Sequence, residues 1–309
     1  MKSVRPLVLA VALATGLAGA AHAEESASLT EKLNAYVDCI NRLSERSYDS
    51  RERYFSWVDA KKGPTGKERI IYGTYTIYDT SGCRKGVETA NALEPRDAEL
   101  EASASAYVDA VVALEPLLKE TDDYYEQENY KDDKMAKGKA LHPHLVAAWN
   151  AFAEADQKLR TGIDDIQDRQ VAAKLAEIEK SEGRKDGYYI QALMIGAKRL
   201  MRAQTAEKAD IAKITEALTV YEGIAKAAES YAEVNTGGKI GSGFIGDAKS
   251  FLVTAKQLMR RVRDKVPYSS GDRMMLESGG GAWMVEGSPA RLMRDYNQLV
   301  EAYNRGASF

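Results

Sequence analysis

The chain has 309 residues, with 43 Lys and Arg against 46 Asp and Glu, a formal net charge of −3 and 44% hydrophobic side chains. Both signs of charge are interspersed, which excludes a nucleic-acid binder, since that needs clustered Lys and Arg, and leaves no basic face for an amphipathic membrane binder. The length exceeds what one compact core usually holds, so two subdomains or one elongated bundle are expected.

Lys2 and Arg5 precede an apolar run at 7–17, and small residues close on Ala21-His22-Ala23. This is the pattern of a secretory signal peptide at 1–23, cut after Ala23, and it predicts a periplasmic protein. No stretch approaches the ~20 apolar residues of a spanning helix, so no transmembrane segment is expected. The mature chain then begins at Glu24, where a lipid anchor would require Cys, and carries 41 basic against 46 acidic residues, a net of −5. Cys39 and Cys83 are the only cysteines. In an exported chain an even pair reads first as a disulfide and second as two separate buried thiols.

Leu29, Leu33, Tyr36, Val37, Ile40, Leu43, Tyr54 and Trp57 recur at helical spacing, with Ser28 and Glu31 as a capping box. Gly63-Pro64 and Gly66 break that helix. Residues 70–78 are β-prone in composition, but Tyr72, Tyr75 and Tyr78 follow helical spacing, which predicts helix. The next helix starts near Asp97 and carries Leu100, Tyr107, Val111, Leu114 and Leu118, with Pro116 as a kink or a new first turn. Pro143 opens another, carrying Val146, Trp149, Leu159, Ile163 and Ile166, which stops or bends at Ser181-Glu182-Gly183.

In the second half a short helix through Tyr189, Leu193, Ala197 and Leu200 precedes a heptad-like stripe from Ile211 to Ala232. A glycine-rich connector then leads to a helix capped by Asp247 and carrying Phe251, Leu252, Ala255 and Leu258. Residues 266–287 read as a long Gly-rich loop, with Trp283 and Met284 tucked against the bundle; no strand and no Gly-Lys-Ser/Thr accompany its glycines, so it is not a phosphate loop. Ser288-Pro289 caps a last helix, where Tyr296-Asn297 and Tyr303-Asn304 repeat one heptad apart, either as a polar recognition seam or as groups that satisfy each other between helices. The whole predicts an all-α fold, an elongated antiparallel bundle in two packed helical subdomains, 24–183 and 184–309.

Aromatic, acidic, basic and histidine side chains converge in sequence only at 124–144, so Tyr124, Tyr125, Tyr130, Lys131, Asp132, Asp133 and His142 are the candidate ligand or partner residues. Adjacent Asp132 and Asp133 point ~100° apart on a helix and make no facing acid/base pair, whereas Asp133 reaches Lys137 at i+4. His142 and His144, two apart, lack the spacing that presents two ligands to zinc from one helix. The bland alternative is a polar turn between helices with its tyrosines packed. No catalytic or metal residues are nominated, and no cofactor is implied.

Tyr124-Tyr125, Tyr130-Lys131-Asp132-Asp133, Ala136-Lys137-Gly138-Lys139 and Leu141-His142-Pro143, with Gly287-Ser288-Pro289 and the Tyr-Asn repeat, resemble the YiiG-like family of bacterial envelope proteins, a domain of unknown function. The resemblance covers nearly all of the mature chain. It implies an exported helical protein, often lipid-anchored in relatives, and brings no ligand or catalytic residues. The leading functional expectation is a non-enzymatic periplasmic protein that binds a small ligand or an envelope protein through residues 124–144. One alternative is an accessory in metal or iron uptake, by analogy with imelysin-like bundles, although His142-x-x-Leu145 lacks their His-x-x-Glu pair. A hydrolase acting on envelope material is the other.

Overall fold

The computed structural model describes residues 15–206, 209–278 and 280–307. The basic and apolar start of the expected leader, residues 1–14, lies outside the described residues. Among the described residues there are nine α-helices and no β-strand, so the chain is all-α with bundle-like packing. It divides into two compact units, residues 1–167 and 168–309. The junction expected at 183/184 instead marks the end of a helix, where Gly183 takes φ 78°.

The first unit contains α1 (Thr15–Phe55), α2 (Thr80–Asn91), α3 (Ala98–Glu126) and the start of α4 (Ala136–Glu182). In α1 the residues Leu33, Tyr36, Ile40, Leu43, Ser47, Ser50 and Tyr54 follow one another three or four apart, and every one is buried. That stripe packs with Tyr107, Val111, Leu114 and Leu118 of α3 and Trp149, Phe152 and Leu159 of α4 in one core. Removing this much apolar surface from water is the dominant driving force for such a unit. α1 begins upstream of Ser28, so the expected capping box is absent, and the Ser28 hydroxyl donates to the Glu94 carbonyl instead. Asp97 does cap α3, its side chain accepting from Leu100 N at 3.0 Å.

Pro116 neither ends nor restarts α3, and Pro143 does not open α4, which begins at Ala136. Both prolines are solvent-exposed, where the carbonyl freed by a missing N–H is hydrated. Cys39 of α1 and Cys83 of α2 form a disulfide with Cα atoms 5.3 Å apart, both residues buried, so the reading of two separate thiols is set aside. The fully buried Lys32 donates to Pro95 O and to Glu101 Oε1, both at 2.8 Å. Arg96 grips the same carboxylate through Nε and Nη2 at 2.9 and 2.6 Å, and Asp97 N adds a fourth donor at 3.0 Å.

Residues 70–79 are not helical. They form an irregular strap along α1, because three α1 side chains one turn apart take the strap's carbonyls. Arg46 Nε donates to Thr76 O at 3.3 Å, Ser50 Oγ to Tyr75 O at 2.7 Å and Arg53 Nε to Tyr72 O at 2.9 Å. As α1 advances the strap retreats, so the two run antiparallel. Gly73 at φ 67° breaks any helix there.

The second unit holds the end of α4 with α5 (Asp186–Thr205), α6 (Ile211–Val234), α7 (Ser242–Arg263), α8 (Ser270–Ser278) and α9 (Pro289–Ala302). Its core joins Leu193, Ala197 and Leu200 to Leu218, Tyr221 and Ala225, then to Phe251, Ala255, Leu258, Leu292 and Leu299. Asp210 caps α6 and Ser288 caps α9, where proline fills the first helical position. α7 starts before Asp247, which lies inside the helix and does not cap it. The long loop expected at 266–287 is interrupted by α8 and by a 3-10 turn, Ala282–Met284. Trp283 and Met284 rest on α9, with Arg294 stacked on the Trp283 ring, and stay 42% and 49% exposed. The tyrosines of the Tyr-Asn repeat serve packing, since Tyr296 lies against Phe251 and the Tyr303 hydroxyl accepts from Gln191 Nε2 at 3.1 Å.

Candidate functional site

The structure divides the residues singled out at 124–144 into an inner and an outer set. Tyr124, Tyr125 and His142 are buried; Tyr130 and Asp133 are half-buried; Lys131 and Asp132 face solvent. Lys131 pairs with Glu128 at 2.5 Å at the surface, an interaction of small energetic weight. Tyr130 packs its ring 6.2 Å from that of Tyr125.

Asp133 organises the start of α4. Its carboxylate accepts from the backbone N–H groups of Ala136 at 3.2 Å and Lys137 at 2.9 Å, and from the Tyr124 hydroxyl at 2.8 Å. It therefore reaches the Lys137 backbone and not its ammonium, which pairs with Glu120 at 2.9 Å. The N–H of Lys137, more than any other group, holds the Asp133 carboxyl below its ordinary range. Burial and the carboxylate it donates to push the Tyr124 phenol up to about 12.

His142 bridges two parts of the fold. Its Nε2 lies 3.2 Å from Ala60 O and its Nδ1 3.1 Å from the Tyr54 hydroxyl. A carbonyl only accepts, so the network assigns the proton to Nε2 and leaves Nδ1 to accept from Tyr54. Both ring nitrogens are committed, and neither is open to a metal. Gly63, at φ 73°, packs directly against the imidazole, where a Cβ would stand 2.9 Å from the ring.

Tyr125 is buried as well, its pKa raised by burial above all and then by the neighbouring Tyr54 phenol. Beneath it lies Gly138, where a Cβ would fall 2.6 Å from the Tyr125 hydroxyl and 2.7 Å from Met135 Sδ. Gly138→Ala is therefore expected to lose ~1–2 kcal/mol of stability in a denaturant titration, because overpacking outweighs the ~1 kcal/mol helix-propensity gain of alanine. An unchanged or raised midpoint would show that Tyr125 yields freely.

Tyr125 also borders a groove assembled from three segments: Arg46 and Arg53 of α1, the strap from Ile71 to Tyr78, and Asp122 and Glu126 of α3. Its volume is about 450 Å³. Arg53, Tyr72 and Tyr75 border a second depression on the other side, with Asp49, Glu52 and Ser56. The guanidinium carbons of Arg46 and Arg53 stand 4.0 and 4.5 Å from the Tyr75 ring centroid, so cation–π contacts fix the aromatic wall. Tyr72 and Tyr78 remain 48% and 71% exposed. Partial burial, then the neighbouring Glu126 and Asp123, raise the Asp122 carboxyl above its ordinary range. Guanidinium donors, carboxylate acceptors and phenol faces thus line one concavity.

Of the residues singled out in the sequence, only Tyr125 touches this groove. Arg46, Arg53, Tyr72, Tyr75, Tyr78, Asp122 and Glu126 were missed. A trace of them stands in the sequence, since Arg46, Ser50 and Arg53 share one face of α1 and the tyrosines recur every third residue. Among the described residues no group of three His, Cys, Asp or Glu is placed to hold a metal ion, and no helix is long and apolar enough to cross a membrane.

Residues 27–305 match the family model described as Protein of unknown function (DUF3829). The chain is 38% identical over 284 residues to the uncharacterized protein YiiG of Escherichia coli (strain K12), an alignment covering 91% of this chain and 80% of that protein. No solved structure matches. With the family model matched from the first core helix to the last, the chain belongs to the DUF3829 family and is YiiG-like over nearly its whole length.

Proposed function

We propose that this is an exported, non-enzymatic binding protein that takes a small, hydroxyl-rich ligand, such as a glycan fragment, in the strap groove. The observation that carries the reading is the convergence of Tyr72, Tyr75 and Tyr78 with Arg46, Arg53, Asp122 and Glu126 around one cavity. Flat phenol faces stack on the apolar side of a sugar ring, while carboxylates and guanidiniums bond its hydroxyls. The Cys39–Cys83 bridge supports an oxidising compartment such as the periplasm. Of the surface expected at 124–144, Tyr130, Lys131 and Asp132 remain available to a partner, whereas Tyr124, Asp133 and His142 serve the packing beneath.

The test is calorimetric titration of the mature protein with a panel of neutral and acidic oligosaccharides. Tyr72→Ala and Tyr78→Ala, both at exposed positions, are expected to weaken binding by at least roughly tenfold while leaving the thermal midpoint in place. Absence of any saccharide binding, or equal binding by both variants, would refute the reading. Asp122 with its raised carboxyl, four residues from Glu126, favours one second reading, a glycoside hydrolase with that pair as acid and base. Recovery of the bound saccharide intact separates binding from cleavage.

A further inference from the structure

Between α7 and α9 the chain makes an excursion that serves the core little. α8 buries none of its side chains. It rests on the turn Ala282–Met284, which rests on α9. Met275 and Met284 meet over Gly281, where a Cβ would lie 3.6 Å from Met275 Cγ and 3.1 Å from Met284 Cε. Arg294 of α9 stacks on the Trp283 ring at 4.3 Å. Arg261 clips both ends of the excursion, donating to Val266 O at 3.3 Å, Pro267 O at 3.1 Å and Glu286 O at 3.0 Å, and it stacks on Tyr268 at 4.4 Å. The excursion is therefore built, not frayed.

What it displays is apolar. Met274 is 68% exposed, and Val266, Trp283 and Met284 are exposed as well, as are Val262 on α7 and Met293 on α9, which flank the excursion in the chain. Scattered single apolar residues on a surface need no explanation, but a group of this size on one clipped excursion does. The local charge is positive. From Arg260 to Arg294 there are seven Arg and Lys against four Asp and Glu, within a protein of net charge −3. Arg263 pairs with Asp264 and Arg294 lies 3.9 Å from Asp295, while Arg260, Lys265 and Arg273 are exposed in the same stretch as Met274, Trp283 and Met284.

We propose that this face docks on a phospholipid surface bearing anionic headgroups. Trp283 and the methionines enter the headgroup boundary, where an amphipathic indole is favoured, while Arg260, Lys265, Arg273 and Arg294 meet the negative surface potential. The long basic side chains lay their stems along the apolar patch and keep their charges at headgroup level. A helical protein partner is disfavoured because the apolar side chains project outward from an excursion. The site lies in the second unit and is independent of the strap groove in the first.

The full mature chain is sedimented with vesicles of phosphatidylcholine alone and of phosphatidylcholine mixed with phosphatidylglycerol, and Trp283 emission is followed with brominated acyl chains as quenchers. Binding to the mixed vesicles only, weakened by salt, with Trp283 quenched, is the expected result. The triple variant Met274→Ser, Trp283→Ser, Met284→Ser and the charge variant Arg260→Glu, Arg273→Glu change exposed positions. Each is expected to bind roughly tenfold more weakly with an unchanged circular dichroism spectrum. Equal behaviour toward the two vesicle types, or variants that bind like the parent, would overturn the proposal. So would a photoreactive residue at Met274 that captures a protein while the vesicles leave Trp283 unquenched.

Discussion

Glu101→Gln is expected to destabilise the protein by about 3 kcal/mol at neutral pH, because it removes the counter-charge of a fully buried ammonium and leaves the burial intact. The carboxylate of Glu101 receives Lys32 Nζ, two nitrogens of Arg96 and Asp97 N. Arg96 is substantially exposed, whereas Lys32 is fully buried and, of its two described hydrogen bonds, would keep the one to the Pro95 carbonyl. The Arg96 hydrogen bonds first, and that of Lys32 after the opposing effect of burial, hold the Glu101 carboxyl at about 2. A depressed folded-state pKa gives stability that is fully present above the unfolded value, near 4.5, and lost as pH falls toward 2. Urea midpoints should therefore converge between parent and variant as pH drops through that window. Parallel curves down to the lowest pH would sink the assignment. Lys32→Met with Glu101→Met should recover much of the loss, since replacing a whole buried pair by apolar side chains is often neutral or better.

The second large effect is expected at the bridge. Cys39→Ala with Cys83→Ala should lose ~4 kcal/mol, the chain-entropy value for a closed loop of this length. The residues are separated by 44 positions. Both sulfurs are buried, at 1% and 0% residue exposure. A thiol reductant must then await unfolding, so the parent protein in native buffer should keep its bridge under reductant, while partly denatured protein loses it. Denaturant midpoints of parent and variant, with and without reductant, check both statements. Coincident midpoints would mean that the helices hold α1 against α2 without the link.

Helices with long apolar stripes were legible in the sequence because burial on one face leaves a period that needs no partner to be read. What stayed hidden depended on partners distant in the chain. The tyrosines at 72, 75 and 78 imitate a helical stripe, yet Arg46, Ser50 and Arg53 take the carbonyls that a helix would have used. The start of α4 was placed too late because Pro143 looked like a first-turn residue, while Asp133 had already supplied acceptors for Ala136 and Lys137. The cluster at 124–144 drew attention by density, but density in sequence does not say which side chains face water: Tyr124 and His142 turned inward, and Lys131 and Asp132 outward. The groove draws on three segments, and no single window contains it.

One consequence concerns time. Ser44, Tyr48 and Tyr54 of α1 find their polar partners in Asp156 and His142, up to 112 residues later in the chain. The second unit is closed in the same way: α5 packs on α6 and α6 on α7, but α9 returns to α5, where the Tyr303 hydroxyl accepts from Gln191, also 112 residues away. Local pairings close quickly, whereas distant ones must first bear the entropy of a long loop. Any process that delivers this chain from its N-terminus onward holds α1 without its seam until α4 arrives. Each unit thus becomes whole only when its last helix arrives, α4 for the first and α9 for the second.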